Sequence, residues 1–280
     1  MQKNILVTGV STGIGYDAVR YFVSRGYRVF GSVRKDVDVV RLQKDFPENF
    51  VCLQFDVTDL QQIENAKGEV EETLASESLT ALVNNAGFAQ GGPMALLSDE
   101  VFRQQMEVNL FGVRNITNAF LPMLGASLDF KGKPGKIINI SSISGIFNTP
   151  MNGAYCVAKH ALESLGEVYR RELKMYGIQI ASIQPGPIQS ELWDKNLGAL
   201  DIYLDTDYGK MANKTNAIIR AAQKDALPAE VISKLIEEII NCKTPKLSYI
   251  VTRNKLMNTL VACYTPKRVA DFFIERGLNR

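Results

Sequence analysis

Residues 4–33 constrain this chain more than any other stretch. Asn4–Val7 (NILV) reads as a short buried strand, and Thr8-Gly9-Val10-Ser11-Thr12-Gly13-Ile14-Gly15 as a glycine turn. A helix with apolar positions Ala18, Val19, Phe22 and Val23 follows and stops near Gly26; Tyr27–Val33 is a second strand. Strand, turn, helix and strand within about thirty residues make a βαβ unit. Its glycines permit a tight turn and a close backbone approach, so phosphates can sit on the helix N-terminus. The spacing is G-x-x-x-G-x-G rather than the usual G-x-G-x-x-G, so the nucleotide reading rests on the strand and helix around it.

The end of the second strand bears on which nucleotide. A carboxylate there holds a ribose 2′-OH, whereas a basic residue suits a 2′-phosphate. Val33 stands at the acidic position, followed by Arg34-Lys35. A guanidinium fits a phosphate bidentately, so Arg34 favours NADP(H) over NAD(H). Two alternatives stand beside it: a solvated basic pair, and Asp36 turning in to hold NAD.

The alternation continues. Phe50–Phe55 is a third strand with Asp56 at its end, Asp59–Ala75 an amphipathic helix, and Leu79–Val83 a fourth strand running into Asn84-Asn85-Ala86-Gly87. Glu100–Leu124 reads as one long helix carrying Asn109. Ile178–Ile183 is a further strand, closed by Pro185-Gly186-Pro187. With no linker, repeat or low-complexity tract in 280 residues, the expectation is a single α/β domain over 1–280. It is a Rossmann-type doubly wound parallel sheet, with a small helical lid and C-terminal helices. Ligands bind at the carboxyl edge of such sheets, and that edge collects Gly9, Asp56, Asn84, Ser142 and Pro185.

Residues 136–160 supply the chemistry. Ile137, Ile138 and Ile140 form a strand ending in Ser141-Ser142; Tyr155 lies thirteen residues beyond Ser142, and Lys159 four beyond Tyr155. On a helix an i,i+4 pair shares one face. A neighbouring ammonium favours phenolate, which makes Tyr155 a candidate acid/base group, with Ser142 a hydrogen-bond donor to the same substrate oxygen. Alone, Tyr-x-x-x-Lys is a packed tyrosine and a solvated lysine; it gains weight from the cofactor turn at the same edge.

Together, TGVSTGIG (8–15), NNAG (84–87), Asn109 in VNLFG, Ser142 and Tyr155-x-x-x-Lys159 closely resemble the motifs of the short-chain dehydrogenase/reductase family over about residues 3–190. The resemblance implies an oxidoreductase interconverting an alcohol and its ketone or aldehyde. It implies that Tyr155 is the acid/base, that Lys159 holds the nicotinamide ribose and lowers the Tyr155 pKa, and that Asn109 positions a water in a proton relay. Gly9, Ser11, Thr12, Gly13, Ile14 and Gly15 would then line the cofactor phosphates. Asp56 and Val57 would border the adenine, and Asn85, Ala86 and Gly87 the ribose. Pro185, Gly186, Ile188 and Ser190 match the segment that meets the carboxamide, with serine where the family usually has threonine at 190. GAYCVAKHALESLGEVYRRELKMYGIQI (153–180) is similar to the retinol and 17β-hydroxysteroid dehydrogenase branch, as are YRVFGSVRK and the tail PAEVISKLIEEI through KLSYIV.

The substrate side is less determined. Residues 190–226 read equally as a lid or as a plain helical insertion. Ile146, Phe147, Met151, Leu192, Trp193, Leu197 and Leu200 favour an extended apolar substrate such as a steroid, retinoid or aromatic ketone over a sugar or keto acid; the alternative is that they only pack the lid. Residues 253–280 are amphipathic, and the reading favours lid support or a subunit contact over a membrane because the flanking charge is modest. The family's dimer surface implies a homodimer or homotetramer.

Composition excludes other classes. Net charge is +2, so nothing points to nucleic acid. Cys52, Cys156, Cys242 and Cys263 lie in apolar segments without CxxC spacing, which predicts buried reduced thiols and a cytoplasmic protein rather than a metal site. A strand beginning by Asn4 leaves no room for a signal peptide, and no apolar run approaches ~20 residues. Gly9-Val10-Ser11-Thr12-Gly13 matches the G-x-S-x-G of serine hydrolases, but it follows the first strand and His160 is the single histidine, so that reading fails. A catalytically idle nucleotide sensor of the same fold is the remaining alternative, disfavoured because tyrosine, lysine and serine all stand.

Overall fold

The computed structural model describes residues 2–190 and 198–279. Seven strands form one parallel sheet: β1 (Asn4–Val7), β2 (Arg28–Val33), β3 (Phe50–Gln54), β4 (Ala81–Asn84), β5 (Lys136–Ile140), β6 (Gln179–Pro185) and β7 (Ser248–Val251). Their spatial order is β3-β2-β1-β4-β5-β6-β7. The chain winds outward from β1 to β3, then returns to place β4 on the other flank of β1. That reversal opens a crevice between the ends of β1 and β4, where parallel sheets bind ligands.

Both faces of the sheet are covered, so its strands are apolar throughout rather than alternating with polar residues. Alternation instead divides the side chains between two cores. Ile5, Val7, Val29, Ile138, Ile140 and Ile183 pack with α1 (Gly13–Val23) and the isoleucines of α8 (Glu230–Asn241). Leu6, Phe30, Leu53, Leu82, Ile137 and Ile180 face α3 (Leu60–Leu74) and α5 (Gly112–Phe120). On α3, Ile63, Ala66, Val70 and Leu74 recur at helical spacing, and the Asp59 carboxylate caps its start by accepting from the Gln61 and Gln62 amides. Each fully buried side chain such as Phe22, Phe30 or Phe120 contributes roughly 1.5–3 kcal/mol to holding the layers together.

One buried charge has a structural task. Lys136, at the start of β5, donates to the carbonyls of Ile239 (2.8 Å), Ile240 (3.0 Å) and Cys242, the otherwise unpaired C-terminal end of α8. A cation there also complements the helix dipole.

Asp36–Asp45 forms α2, which buries only Leu42 and so carries little apolar pattern in the sequence. Two sequence expectations need correction. The long helix expected over 100–124 is instead α4 (Asp99–Met106), a π turn at Glu107–Phe111, α5 and a 3₁₀ turn at Pro122–Leu124. In the π turn the Gly112 amide reaches back five residues to the Glu107 carbonyl. All four cysteines are free as expected, but only Cys156 is buried; Cys242 follows the end of α8 and Cys263 lies on an exposed helix, both at the surface.

α6 (Gly153–Glu172) precedes β6. After residue 198, a 3₁₀ turn at Asp201–Tyr203 leads into α7 (Gly209–Lys224). Leu200, Tyr203 and Ala212 close over Met151 as a small separate apolar cluster. The chain ends in α9 (Lys255–Tyr264) and α10 (Lys267–Asn279).

Candidate active site

The β1 turn and the β4 end are locked together by polar contacts. The Thr8 hydroxyl oxygen accepts from the amides of Asn85 (3.0 Å) and Ala86 (2.9 Å), while Asn85 Nδ2 donates to the carbonyls of Thr8 and Gly9 (both 2.9 Å). Gly9 has φ of 70°, and a Cβ there would lie 2.8 Å from the Ala86 Cα. Only glycine fits both the left-handed backbone and that approach. The Gly9 amide donates to Ser32 Oγ at 3.0 Å, which fixes the turn against β2. Thr8 and Ser32 escaped the sequence reading, although Thr8 opens the TGVSTGIG motif.

The N-terminus of α1 fits an anion. Thr12 stands at the cap position without a side-chain capping bond, and the first turn holds no acidic residue. The amide dipoles around Gly13, Ile14 and Gly15 therefore face outward with no carboxylate of their own, as a phosphate site requires. Ser11 beside them is fixed by Arg41, whose guanidinium donates to the Ser11 carbonyl at 2.7 Å. A Cβ at Gly13 would lie 2.9 Å from Ser190 Cβ, so the segment after β6 returns to this same turn. Pro185 ends β6, and Ile188 is buried behind it, bridged to Leu227.

At the β2 end, Arg34 has a side chain 66% exposed and only a long contact, 3.5 Å, to Asp56. Asp36 is not free to turn in: it starts α2 and accepts from Gln54 Nε2. Asp56 resists ionisation through burial, but hydrogen bonds from Thr58 and the Arg34 guanidinium outweigh this and hold its carboxyl below the usual range. Val57 is buried beside it.

The third part of the crevice lies at the end of β5. Lys159, 4% exposed, donates from Nζ to the Ile140 carbonyl at 2.9 Å and pins α6 to that strand. Ser142 Oγ accepts from the Ser144 amide at 3.1 Å, leaving its hydrogen available to donate elsewhere. Fully buried Asn109 pairs through both ends of its amide with the Phe88 backbone, at 3.0 and 2.8 Å. A Cβ on Gly87 would meet Asn109 Oδ1 at 2.7 Å and Lys159 Nζ at 3.8 Å, so NNAG, the π turn and α6 converge here. Beneath them Asn84 Nδ2 donates to Asn139 Oδ1 (2.9 Å) and Thr117 Oγ1 (3.1 Å), tying β4 to β5.

The expected depression of the Tyr155 pKa does not occur in the protein alone. Burial pushes the phenol up to about 12, against a lowering hydrogen bond from Ser142. Lys159 Nζ sits 5.6 Å from the ring centroid and gives one of its three N–H bonds to the Ile140 carbonyl. Burial also lowers Lys159 to about 8, opposed by Glu163. Near pH 7 the pair is thus a neutral phenol and a cation, an arrangement able to deliver a proton.

Of the expected apolar lining, Met151 is buried under the 198–224 segment, to which buried Leu200 belongs, while Ile146 and Phe147 are half-buried. Leu192, Trp193 and Leu197 lie outside the described residues. Met94, exposed in the loop after β4, covers the start of α6 at Gly153 and was missed because it belongs to no motif. Among the described residues no cluster of His, Cys, Asp or Glu could hold a metal ion.

Fold and crevice together define a nicotinamide-nucleotide oxidoreductase of the doubly wound class. Residues 3–199 match the family model described as short chain dehydrogenase, and the chain belongs to the short-chain dehydrogenase/reductase family, whose members act on CH–OH and C=O groups. It is 38% identical over 275 residues to the NADPH-dependent 3-dehydrocapnine reductase of Ornithobacterium rhinotracheale, covering 98% of this chain and 97% of that protein. It is 31% identical over 301 residues to human 17-beta-hydroxysteroid dehydrogenase type 2, covering 100% of this chain and 74% of that protein. A short-chain dehydrogenase from Streptomyces avermitilis shares the fold with a TM-score of 0.80 at 22% identity, over 100% of this chain and 98% of that one.

Proposed function

We propose that this protein is an NADP(H)-dependent reductase or dehydrogenase of an extended apolar carbonyl or alcohol, with Tyr155 as its acid/base. The observation that carries the reading is the placement of buried Lys159 5.6 Å from the Tyr155 ring and on the Ile140 carbonyl at the end of β5, next to a phosphate-ready turn. NADP(H), when bound, supplies the hydride chemistry.

The chain supplies the rest. A carbonyl oxygen beside β5 accepts hydrogen bonds from the Tyr155 and Ser142 hydroxyls. As negative charge grows on that oxygen, Tyr155 Oη transfers its proton, and Ser142 stabilises the developing charge. Lys159 holds the cofactor ribose and, by its charge, stabilises the phenolate left behind. Asn109 fixes the Phe88 backbone beside Gly87 and belongs to the relay that returns a proton to Lys159. Gly9, Ser11, Thr12, Gly13, Ile14 and Gly15 hold the phosphates; Asp56 and Val57 border the adenine; Asn85, Ala86 and Gly87 face the ribose. Pro185, Gly186, Ile188 and Ser190 meet the nicotinamide.

Exposed Arg34 and the engagement of Asp36 by Gln54 support NADP(H), as does the name of the NADPH-dependent relative. Ile146, Phe147 and Met94 support an apolar substrate, and the names of the hydroxysteroid relatives agree. Residues 190–226 act as the lid. Free thiols at all four cysteines support a cytoplasmic setting. Exposed Phe111, Val157 and Val168 on the outer helices, with a concavity of about 360 Å³ lined by Phe102, Met106 and Phe111, support a homo-oligomer.

The test is a panel followed at the nicotinamide absorbance: a steroid or retinoid ketone and a short polar keto acid, each with NADPH and NADH. The reading expects the highest kcat/KM with NADPH and the apolar ketone. Preference for the keto acid would overturn the substrate class, and preference for NADH the cofactor assignment.

A further inference from the structure

Among the described residues, the C-terminal helices leave an apolar surface without a partner. α9 buries none of its residues, yet Leu256, Met257, Leu260, Val261 and Tyr264 recur along it at helical spacing and are exposed. On α10, Val269, Phe272 (55% exposed) and Phe273 (64%) repeat the pattern. Eight of the 23 exposed large apolar side chains among the described residues thus fall within this short tail. A surface of that kind marks an interaction site.

Charge selects the occupant. Residues 253–280 carry six of the 32 basic side chains (Arg253, Lys255, Lys267, Arg268, Arg276 and Arg280) but only two of the 30 acidic ones, Asp271 and Glu275. The tail is therefore +4 and the remaining chain −2; Arg253 pairs with Asp225 at 3.1 Å, which leaves an unpaired excess of +3. A second copy docked through the same face would set +3 against +3, which opposes association. An anionic lipid surface complements both the charge and the apolar stripes. No helix among the described residues is long and apolar enough to cross a membrane, so the contact lies in the interface plane.

We propose that α9 and α10 form an in-plane docking surface for a bilayer bearing anionic headgroups. The flanking charge is modest in the sequence, but the exposure of both apolar faces beside a basic tail favours the lipid surface over lid support or a subunit contact. α10 packs against α7: Leu278 is buried, and Lys214 on α7 donates to the Gly277 carbonyl at 3.4 Å. Docking would accordingly set the segment over Met151 next to lipid. The inference stands on the surface alone and does not depend on the cofactor or substrate assignment.

The test is flotation of the full chain with phosphatidylcholine vesicles, with and without about 30 mol % phosphatidylserine. Binding is expected to the anionic vesicles and to weaken as salt rises. Lys267→Ala with Arg268→Ala should weaken it about 25-fold, near fivefold per charge. Phe272→Ser with Phe273→Ser should weaken it about tenfold or more, with the thermal midpoint unchanged because both rings are exposed. No binding by the wild type, or binding indifferent to both variants, would overturn the proposal. So would self-association of the wild type, seen by sedimentation velocity, that the serine variant abolishes while no vesicles are bound.

Discussion

The cofactor half and the substrate half of this crevice are built differently. The cofactor half is made of strand ends, each locked by a side chain to neighbouring backbone: the Thr8 hydroxyl to the Asn85 and Ala86 amides, Ser32 Oγ to the Gly9 amide, and Lys159 Nζ to the Ile140 carbonyl. The substrate half is made of side chains laid over it: Leu200, Tyr203 and Ala212 on Met151, and Met94 on Gly153. A cofactor shared across a family requires fixed phosphate and ribose contacts, which short motifs on a rigid sheet can encode. A substrate that differs between members is met by apolar surface, which many sequences satisfy equally well.

The comparison can be broken first at Tyr155. Tyr155→Phe should lower kcat by roughly 10²-fold or more while NADPH affinity, measured by titration, stays within about twofold. Substantial turnover would remove Tyr155 from the chemistry. Next comes the β2 end: Arg34→Asp should weaken NADPH about tenfold and shift preference toward NADH. An unchanged ratio of the two dissociation constants would mean that Arg34 is only a solvated cation.

Lys159 gives a pH dependence with a definite sign. It is held at about 8 and loses its charge as pH rises through that value, while Tyr155, at about 12, keeps its proton. NADPH affinity should therefore fall by up to about tenfold per unit above pH 8, and Lys159→Met should flatten the profile at the weaker level. The smallest effect on function is expected at Lys136. Lys136→Met strands three carbonyls at the end of α8 and should cost about 1–3 kcal/mol in denaturant unfolding, with NADPH affinity unchanged.

These differences also explain what the sequence could disclose. Glycine turns, Asn85 and Tyr155-x-x-x-Lys159 are legible because the contacts they make are dictated by residue type at fixed spacing. α2 was invisible because it buries only Leu42. The π turn is not legible in the sequence because its context is tertiary, the pairing of Asn109 with the Phe88 backbone. The Tyr155 pKa follows the same division: an i,i+4 cation can be read locally, whereas the burial that raises the phenol is the work of the whole fold. Cys242 and Cys263 lie in apolar stretches, but apolar sequence did not mean burial at the surface helices.

Amide hydrogen exchange of the wild type with successive ligands tests the division directly. NADPH alone should protect residues 8–15 and 84–88, and an apolar ketone added afterwards should extend protection to 200–212. A short keto acid should not. Absence of NADPH protection at 8–15, or equal protection of 200–212 by the keto acid, would contradict the account.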